Sequence, residues 1–361
     1  MVEAGPVVVH WFLEQRCNLD CLYCFGPTSS EKPVGENDLL LAQTLVESGV
    51  RGVVLGGGEP MLANTLDSVV KILKEGGVYV SLHTNGTLLT RGSLQRLRGL
   101  VDDIALPIDA AKRETQERLR GQGFMGVFDG MRELVDWINE SGIGVGYHTV
   151  FTRHNWRQIP QIYRMINQQP FKYWRIYEYN PDLPRRKFLQ INDGTRVTEE
   201  KLARWKGIDS LSDDGTISTG QTDSLFARLL LMEKKFQDKY QDPRVQFVFR
   251  ADSNGYFFLT GSGEVTTYGP NSLDKRPTIG NLLEADLPQL RARRQKALEE
   301  EELDGGIAER GWELPYFARE WEGNYWIEED EEVKWGRYRK RIKHLRQLWL
   351  ARTGELVSED E

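Results

Sequence analysis

Cys17-Asn18-Leu19-Asp20-Cys21-Leu22-Tyr23-Cys24 follows directly on a β-branched run, Val7 to Phe12. A strand that opens into a loop with three thiols in C-x3-C-x2-C spacing gives a backbone able to wrap a metal cluster at the strand's carboxyl end. These are the only cysteines of the 361-residue chain and all fall within eight residues, so a disulfide framework is excluded. Three thiolates can hold three irons of a [4Fe-4S] cubane and leave the fourth open to a ligand that is not protein. Zinc is the competing reading, but zinc takes four ligands and the nearest histidine, His10, lies inside the first strand.

Outward from this loop, β-rich runs alternate with amphipathic helical runs, the pattern of a parallel sheet with crossover helices. Strands are expected at Val7 to Phe12, Gly52 to Leu55, Val78 to His83, Ile104 to Ile108, Gly144 to Phe151 and Tyr173 to Tyr177. Between them, Asn37 to Ser48, Thr65 to Glu75 and Phe128 to Ser141 carry Leu, Val and Ile at helical spacing. The fold class is α/β, a partial (β/α)6 TIM-like barrel, and chemistry in such barrels gathers at the carboxyl ends of the strands.

After residue 181 the alternation fades. A polar stretch from Asp193 to Asp223 precedes a helix at about Ser224 to Tyr240, then a strand at Val245 to Arg250 and a hairpin at Tyr256 to Tyr268 around Gly261-Ser262-Gly263. The expected division is residues 1–181 as core barrel, 182–298 as linker helix and β-hairpin cap, a small β/α C-terminal cap over the barrel, and 299–361 as a charged helical C-terminal extension. That extension joins acidic runs (Glu299 to Glu302, Glu328 to Glu332) to a basic helix near Arg337 to Leu350.

A net charge of −7 argues against a broad grip on nucleic acid, which needs a basic face, although a local basic pocket for a small anion is compatible with it. No apolar run approaches the roughly 18 residues of a membrane span. The first residues lack the basic start and long apolar stretch of a signal peptide, so a cytoplasmic location is expected.

Further motifs close the remaining strands: Gly56-Gly57-Gly58-Glu59-Pro60, His83-Thr84-Asn85-Gly86, Pro107-Ile108-Asp109, and Thr149 through Asn155. With the cysteine spacing and an aromatic, Tyr23, before the last cysteine, residues 6–180 resemble the radical S-adenosylmethionine (SAM) superfamily. The resemblance implies that Cys17, Cys21 and Cys24 hold the cluster and that SAM chelates the open iron. It also implies SAM contacts from Tyr23, Gly57, Gly58, Glu59, Asn85, Asp109, Thr152 and Arg153. Asp109 and Asn155 read equally as helix caps. The implied chemistry is one-electron reduction of the cluster, cleavage of SAM to methionine and a 5′-deoxyadenosyl radical, and hydrogen abstraction from substrate, of oxidoreductase or lyase type.

Within the superfamily the chain looks most like the viperin, nucleotide-dehydrating, branch at Cys24-Phe25, Asn85-Gly86, Arg120-Gly121-Gln122-Gly123, Phe151 to Asn155 and Tyr173 to Tyr177. Arg175 matches a basic position that holds the nucleotide in that branch, whereas Gly146 and His148 stand where it has a lysine and an asparagine. His148 is a candidate acid or base, and Arg185, Arg186 and Lys187 are a candidate phosphate cluster. The expected partners are a small substrate, phosphorylated or a nucleotide, and a reductant such as flavodoxin or ferredoxin. The alternative is a peptide- or protein-modifying radical SAM enzyme without auxiliary clusters, with Trp312, Trp321, Trp326 and Trp335 as a docking surface. A third reading is a non-catalytic protein that merely keeps the cluster.

Overall fold

Strand β1 (Val8–Glu14) is buried along almost its whole length, as a strand with partners on both sides must be. In this computed structural model it is followed by β2 (Gly52–Gly57), β3 (Tyr79–His83), β4 (Asp103–Pro107), β5 (Gly144–Phe151) and β6 (Tyr173–Glu178). Each pairs in parallel with the next. The structure describes residues 8–24, 37–152, 154–178, 229, 232–233, 236–248, 257–266, 278–293 and 296.

The crossover helices bury the stripe that their spacing dictates. In α1 (Asp38–Glu47) it is Leu41, Ala42 and Leu45; in α2 (Leu66–Glu75), Leu66, Val69, Val70 and Leu73. The pattern returns at Met131, Leu134, Val135 and Ile138 of α6 (Met131–Glu140) and at Ile159, Ile162, Tyr163 and Ile166 of α7 (Ile159–Ile166). Each such side chain contributes about 1.5–3 kcal/mol on full burial, enough to hold a short helix that would not persist alone. Three further helices, α3 (Arg91–Leu97), α4 (Arg113–Arg120) and α5 (Met125–Asp129), complete the layer outside the strands.

The C-terminal strands sit differently from the cap expected of them. β7 (Val245–Val248) pairs in parallel with β6, and β8 (Phe257–Thr260) pairs in parallel with β1. The hairpin forms as β8 and β9 (Glu264–Thr266), with β10 (Gly280–Asn281) beyond it. Among the described residues all ten strands make one sheet in the order β10-β9-β8-β1-β2-β3-β4-β5-β6-β7. The physical reason is that β1 and β6 would otherwise end the sheet with unpaired backbone groups. The stretch 193–223, the basic residues 185–187 and the tail from 299 lie outside the described residues.

The amino-terminal end of the barrel is plugged. Asp103, fully enclosed on β4, accepts from Tyr79 Oη at 2.6 Å, Ser81 Oγ at 2.6 Å and Tyr173 Oη at 2.8 Å. Tyr173 reaches across because β5 carries Gly146, where an added Cβ would stand 2.3 Å from the tyrosine ring. What remains open is the carboxyl half of the lumen.

Candidate active site

The loop bearing the cysteines is fixed at its root by Glu14. Its carboxylate accepts from the Gln15 and Arg16 amides at 2.9 Å each and from the Arg16 guanidinium at 2.7 and 3.1 Å. Burial pushes this carboxyl upward, but the Arg16 bonds and charge outweigh it and hold it below the usual range. The β2 turn locks against the same segment through Gly58 N to Glu14 O at 2.7 Å and Glu59 N to Arg16 O at 2.8 Å. Only glycine fits there: Gly57 has φ of 111°, and a Cβ on Gly57 or Gly58 would lie 2.3 or 2.2 Å from the Glu14 or Arg16 carbonyl oxygen.

Cys17, Cys21 and Cys24 are half-buried thiols outside any disulfide. The Leu19 amide donates toward Cys17 Sγ at 3.4 Å, Asn85 Nδ2 stands 3.8 Å from the same sulfur, and Arg120 Nη1 stands 3.7 Å from Cys21 Sγ. Burial raises the pKa of Cys17, and it pushes Cys21 up to about 12 against the pull of Arg120, with the neighbouring thiols adding repulsion. The resistance of Cys17 and Cys21 to ionisation is relieved by iron, which takes each as thiolate. Among the described residues no three Cys, His, Asp or Glu side chains converge as ligands of a single ion. The donors fit a cubane with one open iron.

Behind the loop stands a clamp. Asp109, fully enclosed after β4, accepts from Tyr23 Oη at 2.6 Å, Arg120 Nε at 2.5 Å and the Val150 amide at 2.8 Å. It is no helix cap, because the Ala111 and Lys112 amides that a cap would accept from donate to Gln158 Oε1 instead. Burial weakens the Arg120 charge, but Asp109, Tyr23 and Cys21 outweigh it and keep the side chain cationic. Arg120 also lies over the rings of Tyr23 and Phe124. Sequence reasoning quoted Arg120 in a motif and assigned it no role; its signal was a lone cation ahead of two glycines.

Two other residues of the expected cofactor set are bonded within the protein. Glu59, wholly out of solvent, accepts from Met61 N at 3.0 Å, Thr84 Oγ1 at 2.6 Å and Asn85 N at 2.8 Å, so its carboxylate ties the β2 turn to the β3 turn. Thr152 is equally enclosed and spends its hydroxyl inside a turn, on Asn155 Oδ1 and the His154 amide. Asn155 secures that turn to the clamp through Nδ2 and the Asp109 carbonyl at 2.8 Å. Asn85 remains at the cysteine loop, donating to Asn18 Oδ1 at 2.8 Å. Arg153 lies outside the described residues.

One level down, the lumen is lined by His10, His83, His148 and Arg175. The His83 and His148 rings are 4.2 Å apart, His10 and His83 5.5 Å, and the Arg175 guanidinium lies 4.0 Å over the Tyr173 ring. Arg175 is 1% exposed and donates from Nε to Gln246 Oε1 on β7 at 3.0 Å. Burial, with the Arg175 charge, lowers all three imidazoles, His10 to about 4 and His83 and His148 well below the ordinary value. All three are neutral at physiological pH.

Residues 13–166 match the sequence model of the Radical SAM superfamily. The chain is 28% identical over 208 residues to the Fe-coproporphyrin III synthase of Methanosarcina barkeri, covering 56% of this chain and 50% of that protein. It is 32% identical over 142 residues to an S-adenosylmethionine-dependent nucleotide dehydratase of a Thermoplasmatales archaeon, covering 39% and 51%. The chain thus spans about half the length of these curated relatives. A solved structure described as native anSMEcpe with bound AdoMet and Kp18Cys peptide superimposes with a TM-score of 0.58 at 14% identity, over 81% of this chain and 82% of that one. No described helix is long and apolar enough to cross a membrane. With its strand order and its three-thiol loop, the barrel of this chain is similar over residues 13–166 to the Radical SAM superfamily.

Proposed function

We propose that the chain is a radical SAM enzyme acting on a small phosphorylated molecule, a nucleotide first among them, held in the lumen below the cysteine loop. The observation that carries the substrate half of this reading is Arg175, a guanidinium enclosed on β6 over the Tyr173 ring. Guanidinium groups in such positions suit phosphoryl oxygens, which they bind with short, charge-assisted bonds. The nucleotide dehydratase relative supports the same class, and the coproporphyrin relative marks how widely substrates vary.

Cys17, Cys21 and Cys24 would hold the [4Fe-4S] cluster, and Gly57, Gly58, Asn85 and Arg153 would face SAM. Bound there and reduced, the cluster supplies the electron that splits SAM into methionine and the hydrogen-abstracting radical. The chain's own residues do the rest. Arg120 sets a positive charge beside Cys21, Asp109 and Tyr23 hold the loop in register, and the plugged floor at Asp103 keeps water from entering from below. His148, neutral and facing the lumen, is placed to take or give a proton. Thiols kept out of disulfides in this way call for a reducing compartment, and we assign the cytoplasm, with flavodoxin or ferredoxin as reductant.

The test is anaerobic purification, cluster reconstitution, and assay of 5′-deoxyadenosine with SAM, dithionite and a panel of nucleoside triphosphates, with Cys17→Ala as control. Strong stimulation by one nucleotide is expected. Slow cleavage that no nucleotide stimulates would replace the nucleotide with a peptide substrate. None at all from a sample with intact cluster would end the enzyme reading in favour of a cluster-binding protein.

A further inference from the structure

We propose that the lumen layer of His10, His83, His148, Arg175 and Gln246 is a receptor for one phosphate group of the substrate, and that it takes up a proton from solvent when that group binds. The proposal rests on the reading above that the lumen is the substrate chamber.

Strands β1, β3 and β5 each contribute one imidazole to a single level, and β6 and β7 contribute Arg175 and Gln246, which are register partners. Glycine keeps room for them: on β2, a Cβ at Gly56 would stand 3.0 Å from His10 Nε2 and 3.8 Å from His83 Cβ. The imidazoles keep partial exposure while protein encloses them on every side, as side chains lining an internal cleft do.

Three nitrogens of this level, His83 Nε2, His148 Nε2 and Gln246 Nε2, are buried and have no hydrogen-bond partner among the described residues. Buried polar atoms in folded proteins are nearly always satisfied, so three orphans at one level point to an absent occupant. Their chemistry selects it. Gln246 turns its oxygen to Arg175, which leaves its NH2 as a donor. Arg175 adds positive charge, and each imidazole nitrogen becomes a donor on protonation. Among the described residues the level offers no carboxylate; Asp103 lies beneath it, held by three hydroxyls. A group of acceptor oxygens carrying negative charge satisfies all of these at once, and water does not balance the charge.

Among the described residues the other titratable groups around His148 are Tyr173 and Tyr177 from β6, Arg175, His83, His10 and, from α4, Arg120. None supplies an anion. In the empty layer, burial and the Arg175 charge keep the imidazoles neutral. A bound phosphate offsets that charge and gives Nε2 an acceptor, so one proton moves from solvent onto an imidazole. Binding must then weaken as pH rises, by up to about tenfold per unit for one proton.

The experiment is calorimetric titration of the full chain, with cluster rebuilt and SAM bound, using inorganic pyrophosphate in two buffers of different ionisation heat at about pH 6 and about pH 8. The expected result is saturable binding with uptake approaching one proton, weaker at the higher pH. His148→Asn and His83→Asn should reduce the uptake, and Gln246→Leu should weaken binding while leaving the proton uptake unchanged. Absence of binding, or binding with no proton taken up by the wild-type chain, overturns the proposal without reliance on any variant. Deoxyadenosine assayed on the same preparation separates the two readings. Its formation without pyrophosphate binding removes the phosphate layer alone, and its absence from a cluster-loaded sample removes the radical reading, while the titration still judges the layer.

Discussion

Arg120 donates to Asp109 Oδ2 at 2.5 Å from Nε while its Nη1 lies 3.7 Å from Cys21 Sγ, so one side chain ties the barrel wall to a thiol of the cluster loop. The pair is enclosed, with side-chain exposures of 11% and 0%. Removing one partner of such a pair strands the other, at about 3–5 kcal/mol. Asp109→Ala is therefore expected to destabilise by about that amount, and Asp109→Asn, which keeps acceptor capacity, by less. Denaturant unfolding of the iron-free protein measures both, and a loss below about 1 kcal/mol for the alanine variant would show the pair to be incidental.

The same guanidinium acts on the cluster through charge. A cation near a bound cluster favours the more electron-rich state, so Arg120→Met should make the cluster harder to reduce, on the order of tens of millivolts. Spectroscopically monitored redox titration of the reconstituted protein reads this directly. An unchanged midpoint in a variant with full iron content would contradict it.

At the floor, Gly146→Ala places a methyl 2.3 Å from the Tyr173 ring, against a tyrosine that is bonded to Asp103 at 2.8 Å. Overpacking of this kind costs about 1–3 kcal/mol. Coupling in a double-mutant cycle separates crowding from any intrinsic effect of alanine: in a Tyr173→Leu background the Gly146→Ala penalty should largely vanish. Equal penalties in both backgrounds would rule the crowding out.

That floor marks where sequence reasoning reached its limit. The strands and the stripes of α2 and α6 were legible because burial on one helix face imposes local periodicity. The cysteine loop was legible because three thiols within eight residues have few physical explanations. Pairing of β7 with β6 and of β8 with β1 was not, since it depends on contacts between distant segments. Glu59 and Asp109 were placed correctly at strand ends, but what their carboxylates touch follows from three-dimensional closure: Thr84 and Asn85 for one, Tyr23, Arg120 and Val150 for the other. The histidine layer was invisible for the same reason, with His10, His83 and His148 separated by long stretches of chain.

That layer makes the fold sensitive to acid. His10 is lowered to about 4 by burial and by Arg175, whereas the unfolded chain titrates near 6.5. Between these values the unfolded state binds more protons, so stability is constant above 6.5 and is lost as pH falls from 6.5 toward 4, at up to about 1.4 kcal/mol per pH unit for one histidine. His83 and His148 act in the same direction below the ordinary value. His10 stacks on Phe12 and Phe258, so phenylalanine suits its site, and His10→Phe removes one titrating group with little loss of packing. Urea unfolding of the iron-free chain at pH steps from neutral to about 5 should give a shallower acid limb for His10→Phe than for wild type. Carboxylates titrate in both proteins and cancel in the comparison; superimposable limbs would mean that His10 carries its proton in the folded state.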